Sequence, residues 1–135
     1  MSDKVIKSDA EWRAQLSDME YKVLRKHGTE PPFSSPLNSE HRKGTFRCAG
    51  CGNALFKSDH KFDSGTGWPS FYQPAEGAEI GEAADNRLWM RRTEVHCAQC
   101  EAHLGHVFPD GPAPTGLRYC INGVALDFKK DEAAS

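Results

Sequence analysis

No stretch of the 135 residues approaches the roughly 18 to 20 consecutive apolar positions that a membrane span requires. Met1 to Ala10 has neither the apolar core of a secretory signal nor the Arg-rich, acid-poor character of a transit peptide. A soluble, cytoplasmic protein without a membrane partner is therefore expected. A cationic surplus is missing too: the formal net charge is -2, which excludes the broad positive field of sequence-independent nucleic-acid binders. No nucleic-acid partner is predicted. There is no internal repeat, and low complexity is confined to a Gly/Pro-rich turn at 111–116. The length leaves little room for a second core. A single domain over 1–135 is expected, with a helical annex at about 8–28, a β core at about 44–128 and a mobile tail at 129–135.

Two capping boxes open the chain, Ser8 with Glu11 and Ser17 with Glu20. Each Ser can accept a hydrogen bond from an otherwise free N–H in a first helical turn, so two short helices are predicted. Gly28 is placed to end the second, and Pro31, Pro32 and Pro36 prevent its continuation. Residues 29–43 read as an irregular connection. From Thr45 onward, short runs of aromatic and β-branched residues alternate with Gly, Pro, Asn and Asp. Strands are expected at 44–48, 54–57, 70–73, 88–96, 106–108, 117–121 and 124–128, which makes the fold class mainly β and antiparallel.

Five cysteines in a chain without an export signal argue against a disulfide framework, since cytosolic reductants keep thiols reduced. Four of them form two Cys-x-x-Cys pairs, Cys48 with Cys51 and Cys97 with Cys100. Each pair can set two thiolates on one tight turn, and two such turns together make the tetrahedral sulfur cage that Zn²⁺ favours in closed structural sites. Residues 52–96 separate the pairs, so most of a β domain must intervene and the metal would fasten distant hairpins. Redox dithiols are the weaker alternative, because that motif belongs at the start of a helix in a βαβ setting. A mixed site of Cys97, Cys100, His103 and His106 is conceivable but leaves Cys48 and Cys51 without a role.

Cys120 stands alone. A single cysteine in a strand is commonly a small apolar core residue, but here alternation puts Arg118 and Asn122 on the same face. Arg118 would favour the thiolate, and Asn122 could hold a polar substrate group. His103 and His106 make a Cys/His acid-base arrangement plausible, although the sequence alone does not bring them together. Trp68, in a Gly-flanked turn, reads equally well as core packing or as an exposed platform.

The segments Phe62-Asp63-Ser64-Gly65, Gly67-Trp68-Pro69-Ser70-Phe71, Glu101 through Phe108, and Arg118-Tyr119-Cys120-Ile121-Asn122, taken with both Cys-x-x-Cys pairs, resemble the B-type methionine sulfoxide reductase family. The resemblance runs from Val23 to Phe128. It implies two antiparallel β-sheets, one structural zinc on Cys48, Cys51, Cys97 and Cys100, and reduction of methionine-R-sulfoxide, mainly in oxidised proteins, as a repair activity under oxidative stress. It further implies Cys120 as nucleophile, His103, His106 and Asn122 around the sulfoxide, and Trp68 beneath the substrate methyl, with Phe108 and Arg118 completing the binding site. Many family members carry a recycling cysteine where this chain has Thr66. An external thiol, thioredoxin or another, is then required to regenerate a Cys120 sulfenic acid.

Overall fold

The computed structural model describes residues 7–85 and 92–131. Both capping boxes form, with reciprocal side-chain and backbone hydrogen bonds at Ser8/Glu11 and Ser17/Glu20, and they open helices α1 (Asp9–Gln15) and α2 (Asp18–Lys26). Helix α2 ends one residue earlier than Gly28 suggests. His27 takes the left-handed conformation at φ 56, and the Gly28 N–H then closes onto the Lys22 carbonyl. The irregular connection holds one 3-10 turn, Pro36–Ser39, which starts on a proline whose missing N–H costs nothing there.

Among the described residues nine strands follow, in two antiparallel sheets, as the resemblance implies. They are β1 (Gly44–Cys48), β2 (Ala54–Lys57), β3 (Lys61–Phe62), β4 (Ser70–Phe71), β5 (Ile80–Asp85), β6 (Arg92–Cys97), β7 (His103–Phe108), β8 (Arg118–Ile121) and β9 (Leu126–Lys130). The smaller sheet runs β2-β1-β9 and the larger β3-β4-β8-β7-β6-β5. Aromatic rings join them: Phe56 of β2 stacks on Phe71 of β4 at 4.4 Å between centroids, and Phe46 of β1 meets Phe71 edge-on at 5.1 Å. All three rings are fully buried, with Leu55, Leu104, Ile121, Val23 and Leu24 around them. Helix α2 packs on β7, whose first four residues are buried.

The differences from the sequence reading have local causes. Strand β5, Ile-Gly-Glu-Ala-Ala-Asp, has one β-branched residue and therefore no strand signal; it exists by pairing along β6. The two-residue β3 is likewise held by its partner β4. Of the strand expected at 88–96, residues 92–96 lie in β6 and the others fall outside the described residues. The 70–73 strand stops at Phe71. The expected tail is corrected at its start, because Lys129 and Lys130 pair with Thr45 and Gly44 and belong to β9.

The Ser17 cap satisfies the Glu20 N–H at the head of the helix that covers β7. Ser17→Ala is expected to cost about 1 kcal/mol in urea unfolding, and an unchanged midpoint would show that tertiary packing alone holds α2.

Candidate functional site

The two Cys-x-x-Cys turns are built alike. Cys48 ends β1 and Cys97 ends β6. Each chain then turns through a left-handed residue, Gly52 (φ 82) in the first and Glu101 (φ 63) in the second, whose N–H closes onto the carbonyl of Cys48 or Cys97. The four sulfurs lie within 4.8 Å of one another. Cys48 Sγ is 3.6 Å from Cys100 Sγ, and Cys51 Sγ is 3.5 Å from Cys97 Sγ. A tetrahedron with metal–sulfur bonds of about 2.3 Å has edges of about 3.8 Å, so the thiols fit one small divalent cation. Hydrogen bonding with Cys100 pushes the Cys48 thiol far up and holds the Cys97 thiol far down, the imbalance of sulfurs that cannot all be anionic without a cation. The N–H of Gly50 donates to Cys48 Sγ, and the Asn53 amide donates to Cys97 Sγ.

The helical annex clasps both turns. Gln15 of α1 donates to the Gly50 carbonyl at 2.8 Å and Arg25 of α2 to the Cys100 carbonyl at 2.7 Å. Arg25 also lies over the buried Trp12 ring, 4.7 Å from its centroid.

The fifth cysteine lies elsewhere. Cys120 faces a cavity of about 260 Å³ whose lining includes Trp68, His106, Phe108, Arg118 and Asn122, with Thr29, Thr66, Arg92 and Gly105. Register explains the grouping: on β8, Cys120 sits directly between Ser70 of β4 and His106 of β7. Gly105 is obligatory here, since a Cβ on it would lie 2.1 Å from the Cys120 carbonyl oxygen. Trp68 is half-buried against the cavity rather than sealed in the core, and its indole N–H donates to the Glu30 carbonyl at 2.9 Å.

Six of the seven residues expected at the site thus converge, and His103 differs from them. It is buried behind His106, ring centroids 5.4 Å apart, and does not line the cavity. Its Nδ1 meets Glu94 Oε2 at 2.8 Å, and His27 Nε2 lies 3.0 Å from the same oxygen. Burial holds the His103 imidazole down to about 4 against the pull of Glu94. Asn122 is largely engaged: its side-chain oxygen accepts from the Glu30 N–H and its amide donates to the Leu104 carbonyl.

Arg118 acts on Cys120 in the direction expected, but it is not the largest influence there. It does favour the thiolate, as does the hydrogen bond from Thr66, but desolvation is the larger effect and the Cys120 thiol is pushed up. Arg118 is itself held by Asp110 through a two-pronged contact, 2.9 and 3.2 Å, and lies over the Phe108 ring. Sequence reasoning also passed over Glu30, Glu94 and the linked hydroxyls of Thr66, Ser64 and Ser70, spaced at 2.8 and 2.7 Å. Glu30 and Glu94 lie in no motif, and the hydroxyl chain joins residues of the 62–71 segment whose mutual contact the sequence does not display.

Two antiparallel sheets brought together at four thiols, with a separate cysteine beside imidazole, indole and guanidinium in a cavity, define a mainly β protein with a cysteine cluster positioned to bind a metal ion and a fifth thiol set apart from it. The chain belongs to the SelR-domain family, whose profile matches residues 16–130. It is similar to the peptide methionine sulfoxide reductase MsrB of Bradyrhizobium diazoefficiens, 62% identical over 127 residues covering 94% of this chain and 91% of the relative. The proteins of that name from Pseudomonas putida (58% identical, 97% and 98% covered) and Agrobacterium fabrum (55%, 95% of each) are similarly close.

His103 yields a test of its burial. With a folded value of about 4 against an ordinary 6.5, the unfolded chain binds more protons. The stabilisation from neutral His103 is complete above pH 6.5 and is lost as pH falls toward 4. Between pH 7 and pH 5 the loss is about 2 kcal/mol. Urea unfolding of His103→Gln is expected to be less acid-sensitive than wild type by roughly that amount. Equal acid sensitivity would mean that His103 titrates normally in the folded chain.

Proposed function

We propose that this protein reduces methionine-R-sulfoxide, chiefly within oxidised proteins and also as the free amino acid, as a cytoplasmic repair enzyme of the oxidative stress response. The observation that carries the reading is Cys120 placed in register with His106 in a cavity walled by Trp68. The family relationship supports methionine sulfoxide as the substrate. The flat indole suits the ε-methyl, and His106, Arg118 and the remaining N–H of Asn122 suit the oxygen; this division of apolar and polar walls selects the R epimer. No helix among the described residues is long and apolar enough to cross a membrane.

The chemistry balances within the cavity. Because the resting Cys120 is a thiol, its proton can pass through His106 to the sulfoxide oxygen as sulfur attacks sulfur. An S–S bond forms while the sulfoxide oxygen takes the thiol's proton; the hydroxyl then passes from the substrate sulfur to Cys120 Sγ, so that the S–O and S–S bonds both break, methionine leaves reduced by two electrons and Cys120 is left as a sulfenic acid. Proton delivery matters more than thiolate content. Lowering a thiol pKa from about 8.5 to about 7 raises thiolate about 15-fold at pH 7, but reduced nucleophilicity takes back about 5-fold. A positioned acid contributes roughly 10² to 10⁴-fold. His106 has this role, while His103, neutral and paired with Glu94, supports it from behind.

Thr66 stands beside Cys120 where a recycling cysteine would be. Two external thiols, from thioredoxin or a small dithiol, must then reduce the sulfenic acid, releasing water and ending as a disulfide. The four paired cysteines hold one structural Zn²⁺: with every ligand a protein thiolate, no coordination position is open to substrate.

Metal analysis is expected to find one zinc per chain, and Cys48→Ser is expected to lose metal and folded protein together; a folded, metal-free, fully active variant would end the structural assignment. Single-turnover reduction of a dabsylated R-sulfoxide tests the chemistry. Cys120→Ser should be inactive, and His106→Ala slower by roughly 10²-fold or more. A sulfenic-acid probe should label Cys120 after one turnover without reductant. Wild-type rates in His106→Ala from pH 6 to 9 would remove His106 from proton transfer, and equal turnover of the S epimer would remove the epimer choice.

A further inference from the structure

Phe33 is 70% exposed, while the other large apolar side chain exposed among the described residues, Met19, is 42% exposed. Its backbone is also strained. Phe33 has φ 62, a conformation that a bulky L-residue adopts at a cost of order 1 kcal/mol or more. A segment free to relax would drop both the strain and the exposure. Here the chain is held instead: Pro31 and Pro32 restrict the approach, the Ser34 N–H and hydroxyl both close onto the Pro31 carbonyl, and the Phe33 N–H donates to the Gly67 carbonyl at 2.7 Å.

That last bond fixes the ring's address. A Cβ on Gly67 would lie 2.8 Å from the Phe33 ring, so the aromatic side chain rests against Gly67 itself. The residues on either side of Gly67, Thr66 and Trp68, both line the Cys120 cavity. The cavity volume of about 260 Å³ equals roughly nine waters at about 30 Å³ each, enough for one side chain but not for a stretch of polypeptide. The residues flanking an oxidised methionine must therefore lie outside it, on the rim.

We propose that Phe33 is a specificity-determining residue: a rigid aromatic platform at the rim of the cavity that receives an apolar side chain next to methionine sulfoxide in an unfolded or surface segment of the substrate protein. Ordered in advance by Pro31, Pro32 and the Gly67 bond, the ring loses little conformational freedom on binding, which is the condition under which one aromatic contributes most to affinity. Apolar neighbours are the fitting chemistry because the ring offers an uncharged face. The inference rests on the reductase reading above.

The test compares wild type with Phe33→Ala, Phe33→Tyr and Phe33→Gly on three substrates under excess dithiothreitol. These are N-acetyl-methionine-R-sulfoxide, a peptide with Leu on both sides of the sulfoxide, and the same peptide with Ser in those places. Phe33→Ala should raise KM for the Leu-flanked peptide about 5- to 10-fold with kcat unchanged and leave the N-acetyl substrate alone. Phe33→Tyr should retain wild-type KM. Phe33→Gly should share the KM defect while raising the melting temperature, because glycine accepts the positive φ, so a folding defect cannot account for the loss. Equal KM changes on all three substrates would overturn the proposal in favour of an effect on the cavity through Gly67. Unchanged KM for the Leu-flanked peptide would overturn it outright. Absence of turnover of every substrate by wild type would overturn the reductase reading and this one with it, whereas turnover with no preference for Leu over Ser flanks would overturn this one alone.

Discussion

Four sulfurs within 4.8 Å of each other hold the smaller sheet to the larger. Cys48 closes the central strand of one and Cys97 closes a strand of the other, so the clamp fixes how the two sheets meet at that end. A structural zinc there, at about 10 to 16 kcal/mol in small peptides, would rival the whole stability of a domain of this size. The aromatic stack of Phe46, Phe56 and Phe71 does the same work between the sheets without metal. Between these two fastenings, β8 and β7 can be pressed together as closely as Gly105 allows, and that closeness sets His106 opposite Cys120. The geometry of the cavity thus depends on a four-thiol site that lies apart from it.

Around Cys120, burial and charge pull in opposite directions. Burial raises the Cys120 thiol, and Arg118 and Thr66 return only part of that. Arg118 is itself committed to Asp110, so its charge reaches the sulfur already shared. A redox-sensing cysteine has the opposite character, a low-pKa thiolate open to solvent. What the site holds instead is a half-buried thiol inclined to keep its proton.

Much of this was legible in the sequence where the signal is local. Ser8, Glu11, Ser17 and Glu20 announce two helices because a capping box is complete within four residues. The four paired cysteines announce their cage because each half is complete within one turn. Arg118, Cys120 and Asn122 share a face because strand alternation carries them there. Strand β5 was illegible, since its residues take their conformation from β6. Glu30 and Glu94 were illegible as well: one reaches the site through its backbone and the other through two histidines distant in the chain. Arg118 was read in the right place and with the right sign, but the burial that outweighs its pull on Cys120 was not legible, because a desolvation cost has no sequence signature.

The Glu30 N–H meets the side chain of Asn122 across 92 positions of chain, and the Trp68 indole meets the Glu30 carbonyl across 38. Closing loops of that length comes late in folding, after local helices and hairpins have formed. The walls of the Cys120 cavity are drawn from Thr29 through Asn122, so this thiol stays open to solvent until those closures are made.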